Sequence, residues 1–373
     1  MRKKKLGLIV NPIAGMGGRT GLKGTDGAEV LNAAKLMGAS PESPRRAVEA
    51  LRTLRRISDQ IEVFTYPQEM GEVEAKQCSF SPTILGSIIA GQTTSEDTEV
   101  AARKMKEREV DLLLFAGGDG TARDVCRAVG QELTVLGIPA GVKMHSAVYA
   151  LTPKYAGEAA IDFLTSQVPR TTDAEVMDID EESFRRDVVA AKLYGYLRIP
   201  EERQFIQNAK SGGTQTEGQA IQGVANDLIE SMEEDCLYIF GPGTTTRDIL
   251  LRLGLTKTLL GVDVVLDKQL FAKDVNETQL IGLLKGRKAK IVVTVIGGQG
   301  YIFGRGNQQI GAEIIAGVGK ENIIVVATRE KLASLHGKPL LVDTGSEVVD
   351  KMLSGYVRVR TGYGVSAICK VAA

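Results

Sequence analysis

The feature that most constrains this chain is a glycine-rich turn placed directly after its clearest apolar segment. Val110–Phe115 (VDLLLF) has the composition of a buried β-strand, and GGDG at Gly117–Gly120 follows it and opens an amphipathic helix. Glycines let the backbone approach a ligand closely, and free N–H groups at a helix start attract anions such as phosphate. This order of strand, glycine turn and helix predicts a phosphate-binding loop at the edge of a parallel sheet.

Two further glycine turns follow predicted strands. Asn11–Gly18 (NPIAGMGG) comes after the strand Lys5–Val10, and Gly137–Lys143 (GIPAGVK) comes at the end of the strand Leu133–Ile138. Each turn taken alone is also consistent with a plain chain reversal. Because the carboxyl ends of parallel strands meet at one edge of a sheet, the three turns together predict one crevice that handles phosphate.

Asp119, inside GGDG, is the candidate catalytic residue. A carboxylate that faces phosphates is repelled by them unless it has a function, and it can hold Mg²⁺ or take a proton from an attacking hydroxyl. The alternative is that Asp119 or Thr121 only caps the helix while the glycines turn the chain. Lys143 can likewise meet a phosphate or lie at the surface.

The order of predicted elements indicates an α/β fold. Strands and helices alternate through residues 1–150, which predicts a parallel, Rossmann-like sheet with helices on both faces. Beyond Pro169 the pattern changes, so residues 151–373 are expected to form a second domain that is mixed α/β or β-rich, and a return of its C-terminal tail to the first domain is left open. Strands are predicted at residues 5–10, 61–65, 110–115, 133–138, 174–180, 188–199, 237–240, 291–296, 323–327 and 356–360, and helices at 28–37, 43–57, 96–109, 220–232, from GGDG to 129 and from 245.

Charge and missing motifs exclude several classes of protein. Lys+Arg and Asp+Glu both number 46, so the formal net charge of zero argues against a broadly basic protein of nucleic acids or membrane surfaces. No apolar stretch approaches the length that spans a bilayer, and the four cysteines form no CxxC pair. We therefore expect a cytoplasmic protein with reduced thiols and with neither nucleic acid nor membrane as a partner. HExxH, GxSxG and Walker A motifs are absent.

A second candidate anion site lies at Gly241–Thr246 (GPGTTT), between a predicted strand and a predicted helix. Glycines followed by three hydroxyls at a helix start can cradle an anion, which makes Gly243, Thr244 and Thr245 candidate binding residues. The alternative is an ordinary helix cap, in which Asp248 completes a capping box from Thr245.

The last candidate is Gly304–Gln309 (GRGNQQ). Its two glycines are expected to expose Arg305, whose planar guanidinium suits phosphate, with Asn307 beside it. The alternative is a hairpin turn that carries a solvated arginine. His145 is close to the third turn, but a single histidine near a site is more often a structural residue, so we assign it no catalytic role.

Two motifs carry a resemblance to a known family. NPIAG at Asn11–Gly15, followed by GGDGT at Gly117–Thr121, resembles the superfamily of NAD kinases and diacylglycerol kinases. The ordered set NPIAGMGG, GLKGTDG, GGDGTARDV and GIPAGVKMHSAVYA is similar to a narrower group, the ATP-NAD kinase-like proteins of bacteria and archaea, which includes the acetoin-catabolism accessory protein X. The later segments YIFGPGTTTRDIL and VIGGQGYIFGRGNQQIG fit the same group, so the resemblance covers most of the chain.

This resemblance implies the transfer of a terminal phosphoryl group to the 2′-hydroxyl of the adenosine ribose of NAD. The implied donor is ATP or inorganic polyphosphate, with Mg²⁺ or another divalent cation, and a homo-oligomer is expected from the resemblance alone. Asp119 matches the aspartate that contacts NAD and serves as the base. The candidate binding residues are Asn11, Gly15, Gly117, Gly118, Gly120, Thr121, Gly141, Lys143, Asp178, Asp180, Gly243, Thr244, Thr245, Arg305 and Asn307.

The chain departs from the pattern of typical NAD kinases at two places. Where typical NAD kinases have an Asn-Glu pair, this chain has Met177–Asp180 (MDID). Asp178 and Asp180 can bind ribose hydroxyls or Mg²⁺, or they can form a solvated strand end. Their GSTAY-like segment is replaced by GPGTTT. Two alternatives therefore stay open, a non-catalytic protein that binds NAD or a related nucleotide and a lipid kinase, although Pro139–Lys143 lacks the Thr-x-Asn part of the lipid kinase motif.

Overall fold

The computed structural model describes residues 3–18, 20, 36–141, 144–179, 191–201, 217–296 and 299–373. The chain divides into two compact units. The first unit consists of Met1–Met16 and Gly24–Ala209, and the second of Gly17–Lys23 and Lys210–Ala373.

A sheet of five parallel strands forms the centre of the first unit. The strands are β1 (Lys4–Val10), β2 (Ile61–Thr65), β3 (Thr83–Ile84), β4 (Leu112–Gly117) and β5 (Val135–Pro139). Their order across the sheet is β3-β2-β1-β4-β5, so β1, β4 and β5 are neighbours. Every residue of β4 is buried, as expected of a parallel sheet that is covered on both faces. The predicted α/β class with a parallel N-terminal sheet is confirmed.

The helices of the first unit begin at recognisable signals. They are α1 (Ser43–Leu54), α2 (Glu72–Gln77), α3 (Ser95–Glu107), α4 (Asp119–Val129) and α5 (Pro153–Thr165). Pro44 lies in the first turn of α1, and the carboxylate of Asp97 accepts the N–H of Thr94 at 2.8 Å where α3 begins. The apolar faces of these helices pack on the sheet. Residues 28–35 of the helix predicted at 28–37 lie outside the described residues.

Two antiparallel strands complete the first unit. They are β6 (Thr171–Ile179) and β7 (Ala191–Pro200). The hairpin packs on α4 and β5, and α5 packs on α1, so the compact unit continues beyond the boundary predicted at residue 150. The change of sequence pattern near Pro169 therefore coincides with a change from parallel to antiparallel strands inside this unit.

The second unit is built on a mixed sheet of nine strands. The strands are β8 (Cys236–Phe240), β9 (Asp263–Leu266), β10 (Gln269–Ala272), β11 (Lys288–Thr294), β12 (Tyr301–Phe303), β13 (Ile323–Val326), β14 (Leu340–Val342), β15 (Gly355–Gly362) and β16 (Val365–Ala372). Their order is β10-β9-β8-β11-β13-β15-β16-β14-β12. The strands β8, β11 and β13 are parallel to one another, and β15 and β16 form an antiparallel hairpin. The predicted mixed second domain is confirmed.

Helices cover both faces of this second sheet. They are α6 (Glu217–Glu230), α7 (Thr244–Arg252), α8 (Glu277–Leu284), α9 (Ala312–Val318), α10 (Arg329–Ala333) and α11 (Glu347–Leu353). Alternate residues of β8 point to opposite sides, so Tyr238 and Phe240 join one core with α6 and α7, and Leu237 and Ile239 join the other. Within the described residues, no helix combines the length and apolar character needed to cross a bilayer.

Candidate functional site

Three glycine loops lie side by side at the carboxyl edge of the first sheet. We define them as the first loop (Asn11–Gly15), the second loop (Gly117–Thr121) and the third loop (Gly137–Gly141), which belong to the ends of β1, β4 and β5. The N–H of Asn11 donates to the carbonyl of Ala116 at 3.0 Å, and the N–H of Ala140 donates to the carbonyl of Gly117 at 3.0 Å. These bonds continue the sheet ladders into the loops, as their common edge predicts.

Asn11 connects the first loop to the second. Its Nδ2 donates to Oγ1 of Thr121 at 2.9 Å, and its Oδ1 accepts the N–H of Ile13 at 3.2 Å, which is an Asx turn. Thr121 is only 3% exposed, and a Cβ built on Gly117 would lie 2.3 Å from its Oγ1. Thr121 therefore acts within the protein as the support of Asn11, and Gly117 is required because no side chain fits above it.

Glycines allow the other close approaches between these loops. Gly15 has φ +87°, and a Cβ there would lie 2.4 Å from the carbonyl oxygen of Ala140 and 2.8 Å from Cβ of Glu42. A Cβ on Gly141 would lie 2.9 Å from Cα of Gly118. All three separations are shorter than real Cβ contacts, so Gly15 and Gly141 bring the first and second loops against the third.

The carboxylate of Asp119 is held by backbone groups. Its Oδ2 accepts the N–H of His145 at 2.8 Å, and its Oδ1 accepts the N–H of Ser146 at 3.0 Å. Nδ1 of His145 lies 3.4 Å from Oδ2, and the Asp119 side chain is 12% exposed. A carboxylate has about four lone-pair sites, so these two N–H groups leave acceptor capacity for a further donor. The side chain is not sealed in the core, and its orientation is set by the segment that follows the third loop.

The start of α4 offers donors to an anion. Gly118 is the N-cap and provides no side-chain cap. The first turn of a helix has N–H groups without intrahelical partners, and here this turn contains Asp119, Gly120 and Thr121. The helix dipole adds positive character at the same end. The second loop can therefore hold a phosphate through its backbone.

Three predicted site residues are not fully described by the structure. Lys143 and Asp180 lie outside the described residues. Asp178 belongs to β6, but its side chain is outside what is described. Their assignment as binding residues stays a prediction from the sequence.

In the second unit, GPGTTT forms a tight turn between β8 and α7. Gly243 has φ +132° and donates its N–H to the carbonyl of Leu259 at 2.9 Å. Oγ1 of Thr246 donates to the carbonyl of Gly241 at 2.7 Å. The N-cap is Gly243 itself, without a side-chain cap, so the alternative capping box from Thr245 is wrong.

The three threonines of this turn face different surroundings. Thr244 is exposed, whereas Thr245 is fully buried and its Oγ1 accepts Nζ of Lys331 at 2.6 Å. Thr246 is also fully buried. Thr244 is thus the hydroxyl of this turn that can reach a ligand, and Thr245 is part of its internal support.

A buried ion pair lies behind this turn, and sequence reasoning did not find it. The side chains of Lys257 and Asp263 are both 0% exposed, with 3.6 Å between Nζ and Oδ2. Nζ donates to the carbonyls of Thr258 and Gly261, both at 2.9 Å, and Asp263 accepts the N–H of Thr258 at 2.8 Å. The pair orders the loop that contains Leu259, which in turn accepts the N–H of Gly243. An isolated lysine and aspartate six residues apart give no sequence signal for such a pair.

Arg305 is buried, so the expected exposed guanidinium is wrong. It is 4% exposed, its Nη2 lies 3.6 Å from Oδ2 of Asp343, and its guanidinium carbon lies 5.2 Å from the centre of the Tyr301 ring. Asn307 is also buried, and its Oδ1 accepts the N–H of Gly304 at 3.0 Å. Gly304, at φ +87°, turns the chain so that the arginine folds back onto these partners.

The described side chains bear on whether this protein can hold Mg²⁺. Within them, no group of three or more His, Cys, Asp and Glu residues is placed to hold a metal ion. Mg²⁺ usually keeps several waters and takes one or two carboxylates together with substrate phosphates. The second loop fits an ion of that kind, with Asp119 as its carboxylate, and it does not form a cage made of protein ligands alone.

These features define a class of protein, an α/β protein whose parallel sheet carries three glycine loops side by side at its carboxyl edge. Residues 6–168 match the ATP-NAD kinase N-terminal domain, and residues 233–371 match the ATP-NAD kinase C-terminal domain. The chain belongs to the ATP-NAD kinase-like family, and its activity is that of an NAD kinase-like phosphotransferase.

Other comparisons add no functional information. No curated protein matches the chain. Among solved structures, a UDP-N-acetylglucosamine 2-epimerase has a TM-score of 0.24 and 11% sequence identity, over 95% of this chain and 72% of that chain. A likeness at that level carries no argument about fold or activity.

Proposed function

We propose that the protein transfers the terminal phosphoryl group of ATP, or of polyphosphate, to the 2′-hydroxyl of the adenosine ribose of NAD. Membership of the ATP-NAD kinase-like family supports the reaction class. The observation that carries the proposal is the position of Asp119, which opens α4 beside the Asn11–Thr121 bond and the Gly118–Gly141 approach. An acceptor hydroxyl, the carboxylate of Asp119 and N–H groups that donate hydrogen bonds to phosphate can meet there.

Asp119 orients the acceptor in this proposal. The N–H groups of His145 and Ser146 hold the two carboxylate oxygens in one orientation. A remaining lone pair accepts the hydrogen of the 2′-hydroxyl and takes the proton as the new P–O bond forms and the bond to the leaving phosphate breaks. Because phosphoryl transfer depends mainly on alignment and charge neutralisation, this fixed orientation is the larger contribution.

Backbone groups bind the phosphates in this proposal. The first turn of α4 directs N–H groups at the anion, and Asn11 and Gly15 keep the first loop beside it. Mg²⁺, when bound with the donor, supplies positive charge against the transferred phosphoryl group. Lys143, Asp178, Asp180, Gly243 and Thr244 remain proposed ligand contacts, whereas we assign Thr245, Arg305 and Asn307 to the support of their turns.

The setting of the reaction is also a proposal. All four cysteines are free thiols, which is typical of a reducing compartment, so we propose the cytoplasm. We propose NAD and ATP as its partners and a homo-oligomer as its assembly.

One experiment tests the reaction directly. The full chain is incubated with NAD, ATP and MgCl₂, and NADP is measured with an NADP-specific dehydrogenase; parallel tubes contain polyphosphate in place of ATP, or diacylglycerol in place of NAD. We expect NADP with at least one donor and no phosphorylated lipid. NAD binding without NADP in any tube would instead favour a non-catalytic nucleotide-binding protein, and phosphorylated diacylglycerol would favour a lipid kinase.

A further inference from the structure

A cavity of about 630 Å³ opens on the second unit, away from its glycine turn. Cys236 and Lys288, the first residues of β8 and β11, belong to its lining. GPGTTT follows the other end of β8, and at about 3.3 Å per strand residue the two ends of a five-residue strand lie roughly 13 Å apart. The cavity is therefore at the amino edge of these parallel strands, opposite the carboxyl edge that carries Gly241.

The floor of the cavity is apolar. Ile281 and Leu284 contribute from α8, Ala289 from β11, and Ile314 and Val318 from α9. Ile281 and Leu284 are only partly buried, so apolar surface remains for a ligand to cover. The volume lies within the range of pockets that bind small molecules.

The rim of the cavity is basic. Lys285, Arg287 and Lys288 are exposed lining residues, and none of them has an ion pair within the described part of the chain. A fourth cation, Lys290, is neutralised by Glu233. With Glu313 as the remaining carboxylate, positive charge exceeds negative charge at the rim.

We propose that this cavity binds a small amphipathic anion, a molecule with an apolar body and a carboxylate or phosphate head. The apolar floor takes the body, and the cationic rim takes the head while leaving it partly hydrated. Such a ligand is unlike NAD or ATP in having an apolar body, and its site shares no lining residue with the three glycine loops. This inference does not depend on the proposed reaction.

Two glycines on neighbouring helices provide a matched pair of variants. Gly317 lines the cavity in α9, and Gly282 lies in α8 outside the lining. A Cβ built on either residue meets nothing within 4 Å, so a side chain can begin at both positions without a collision. Each replacement also favours its helix, because glycine is a poor helix former. Gly317→Leu places a side chain in the cavity, and Gly282→Leu does not.

Binding is measured by isothermal titration calorimetry with the full chain. The probes are decanoate and decyl phosphate, which distinguish a carboxylate head from a phosphate head, and decanol as the neutral control. We expect at least one anion to bind and decanol to bind about tenfold more weakly or not at all. Gly317→Leu should abolish binding of the anion and Gly282→Leu should retain it.

Lys285→Ala combined with Arg287→Ala should weaken binding about tenfold, whereas Lys351→Ala combined with Arg358→Ala should not.

Each other result overturns the proposal. Absence of binding by both anions removes the site. Equal binding of decanol removes the role of the cationic rim, and binding that survives Gly317→Leu places the ligand elsewhere. Circular dichroism and urea unfolding of the two leucine variants check that both are folded, so a loss in Gly317→Leu alone reports on the cavity.

Discussion

The side-chain amide of Asn11 donates to the hydroxyl of Thr121 at 2.9 Å, joining residues 110 positions apart in the chain. Thr121→Val keeps the shape of the side chain and removes the acceptor, which leaves the amide without this partner. We expect the free energy of unfolding to fall by about 1–3 kcal/mol in urea denaturation, together with a loss of NADP formation.

Thr98→Val is the control for this prediction. Thr98 is as buried as Thr121, at 3% exposed, but it lies on α3 and belongs to none of the three glycine loops. Asn11→Ala alone and combined with Thr121→Val completes a double-mutant cycle. Equal losses of activity in the Thr98 and Thr121 variants, or strictly additive effects in the cycle, would contradict a role for this bond in holding the loops.

Asp119→Asn tests the proposed catalytic carboxylate. One carboxylate oxygen becomes an amide group, which cannot accept the N–H of His145 or Ser146, and the side chain can no longer take a proton. We expect turnover to fall about a hundredfold or more, measured as the initial rate of NADP formation at saturating NAD. NAD binding, measured by calorimetry, should be largely retained. Near-normal turnover would remove Asp119 from the mechanism.

Gly15→Ala tests the close approach of the first and third loops. Gly15 and Gly38 both have positive φ, +87° and +77°, but a Cβ on Gly15 would collide with Ala140 whereas nothing lies within 4 Å of one on Gly38. We expect Gly38→Ala to lower the free energy of unfolding by about 1 kcal/mol, from backbone strain alone. Gly15→Ala should cost about 2–4 kcal/mol and reduce turnover, because the loops must separate. If urea unfolding showed the same loss of free energy of unfolding for Gly15→Ala and Gly38→Ala, the collision would be relieved without movement of the loop.

Sequence patterns predicted the parts of the site that depend on strand ends. The strands before NPIAG, GGDG and GIPAG are apolar runs, and parallel strands place their carboxyl ends at one edge, so the meeting of these loops followed from local signals. Arg305 was misjudged because its partners, Tyr301 and Asp343, are set by tertiary packing that flanking glycines do not reveal.

Short strands and buried pairs were harder to predict. β12 and β14 have three residues each, which is too few for a periodic pattern to emerge. The burial of Lys257 and Asp263 depends on surrounding elements, and neither residue type is typical of a core.

Lys257→Met tests the support of the glycine turn in the second unit. Removal of the ammonium leaves Asp263 as an uncompensated buried charge, so we expect a loss of about 3–5 kcal/mol in the free energy of unfolding. The double variant Lys257→Met with Asp263→Asn should lose less, because no buried charge is left. A single variant that is as stable as the double variant in urea would contradict this account.

Glu74 predicts a pH dependence of stability in the first unit. Its side chain lies on α2 with the residue 4% exposed, and its Oε2 has no hydrogen-bond partner among the described residues. Burial raises the pKa of Glu74 from 4.5 to about 7, with Glu69 adding to the rise and backbone N–H groups opposing it. Between these two values the unfolded chain is ionised while the native carboxyl stays protonated, so stability falls as pH rises through this window. The loss is complete above about pH 7 and amounts to roughly 3 kcal/mol.

Glu74→Gln removes this loss, because glutamine stays neutral at every pH. Urea unfolding at pH 5 and pH 8 should show that the free energy of unfolding of Glu74→Gln rises relative to that of the unmodified protein as pH rises. Glu72→Gln is the matched control, two residues away on the same helix. The hydrogen bond from Lys76 holds the pKa of Glu72 below its usual value, so the contribution of Glu72 to stability is present above pH 4.5 and is lost as pH falls. The two variants should therefore differ from the unmodified protein in opposite directions at pH 8. If Glu74→Gln differed from the unmodified protein by the same free energy of unfolding at pH 5 and pH 8, the native carboxyl would ionise as readily as in the unfolded chain.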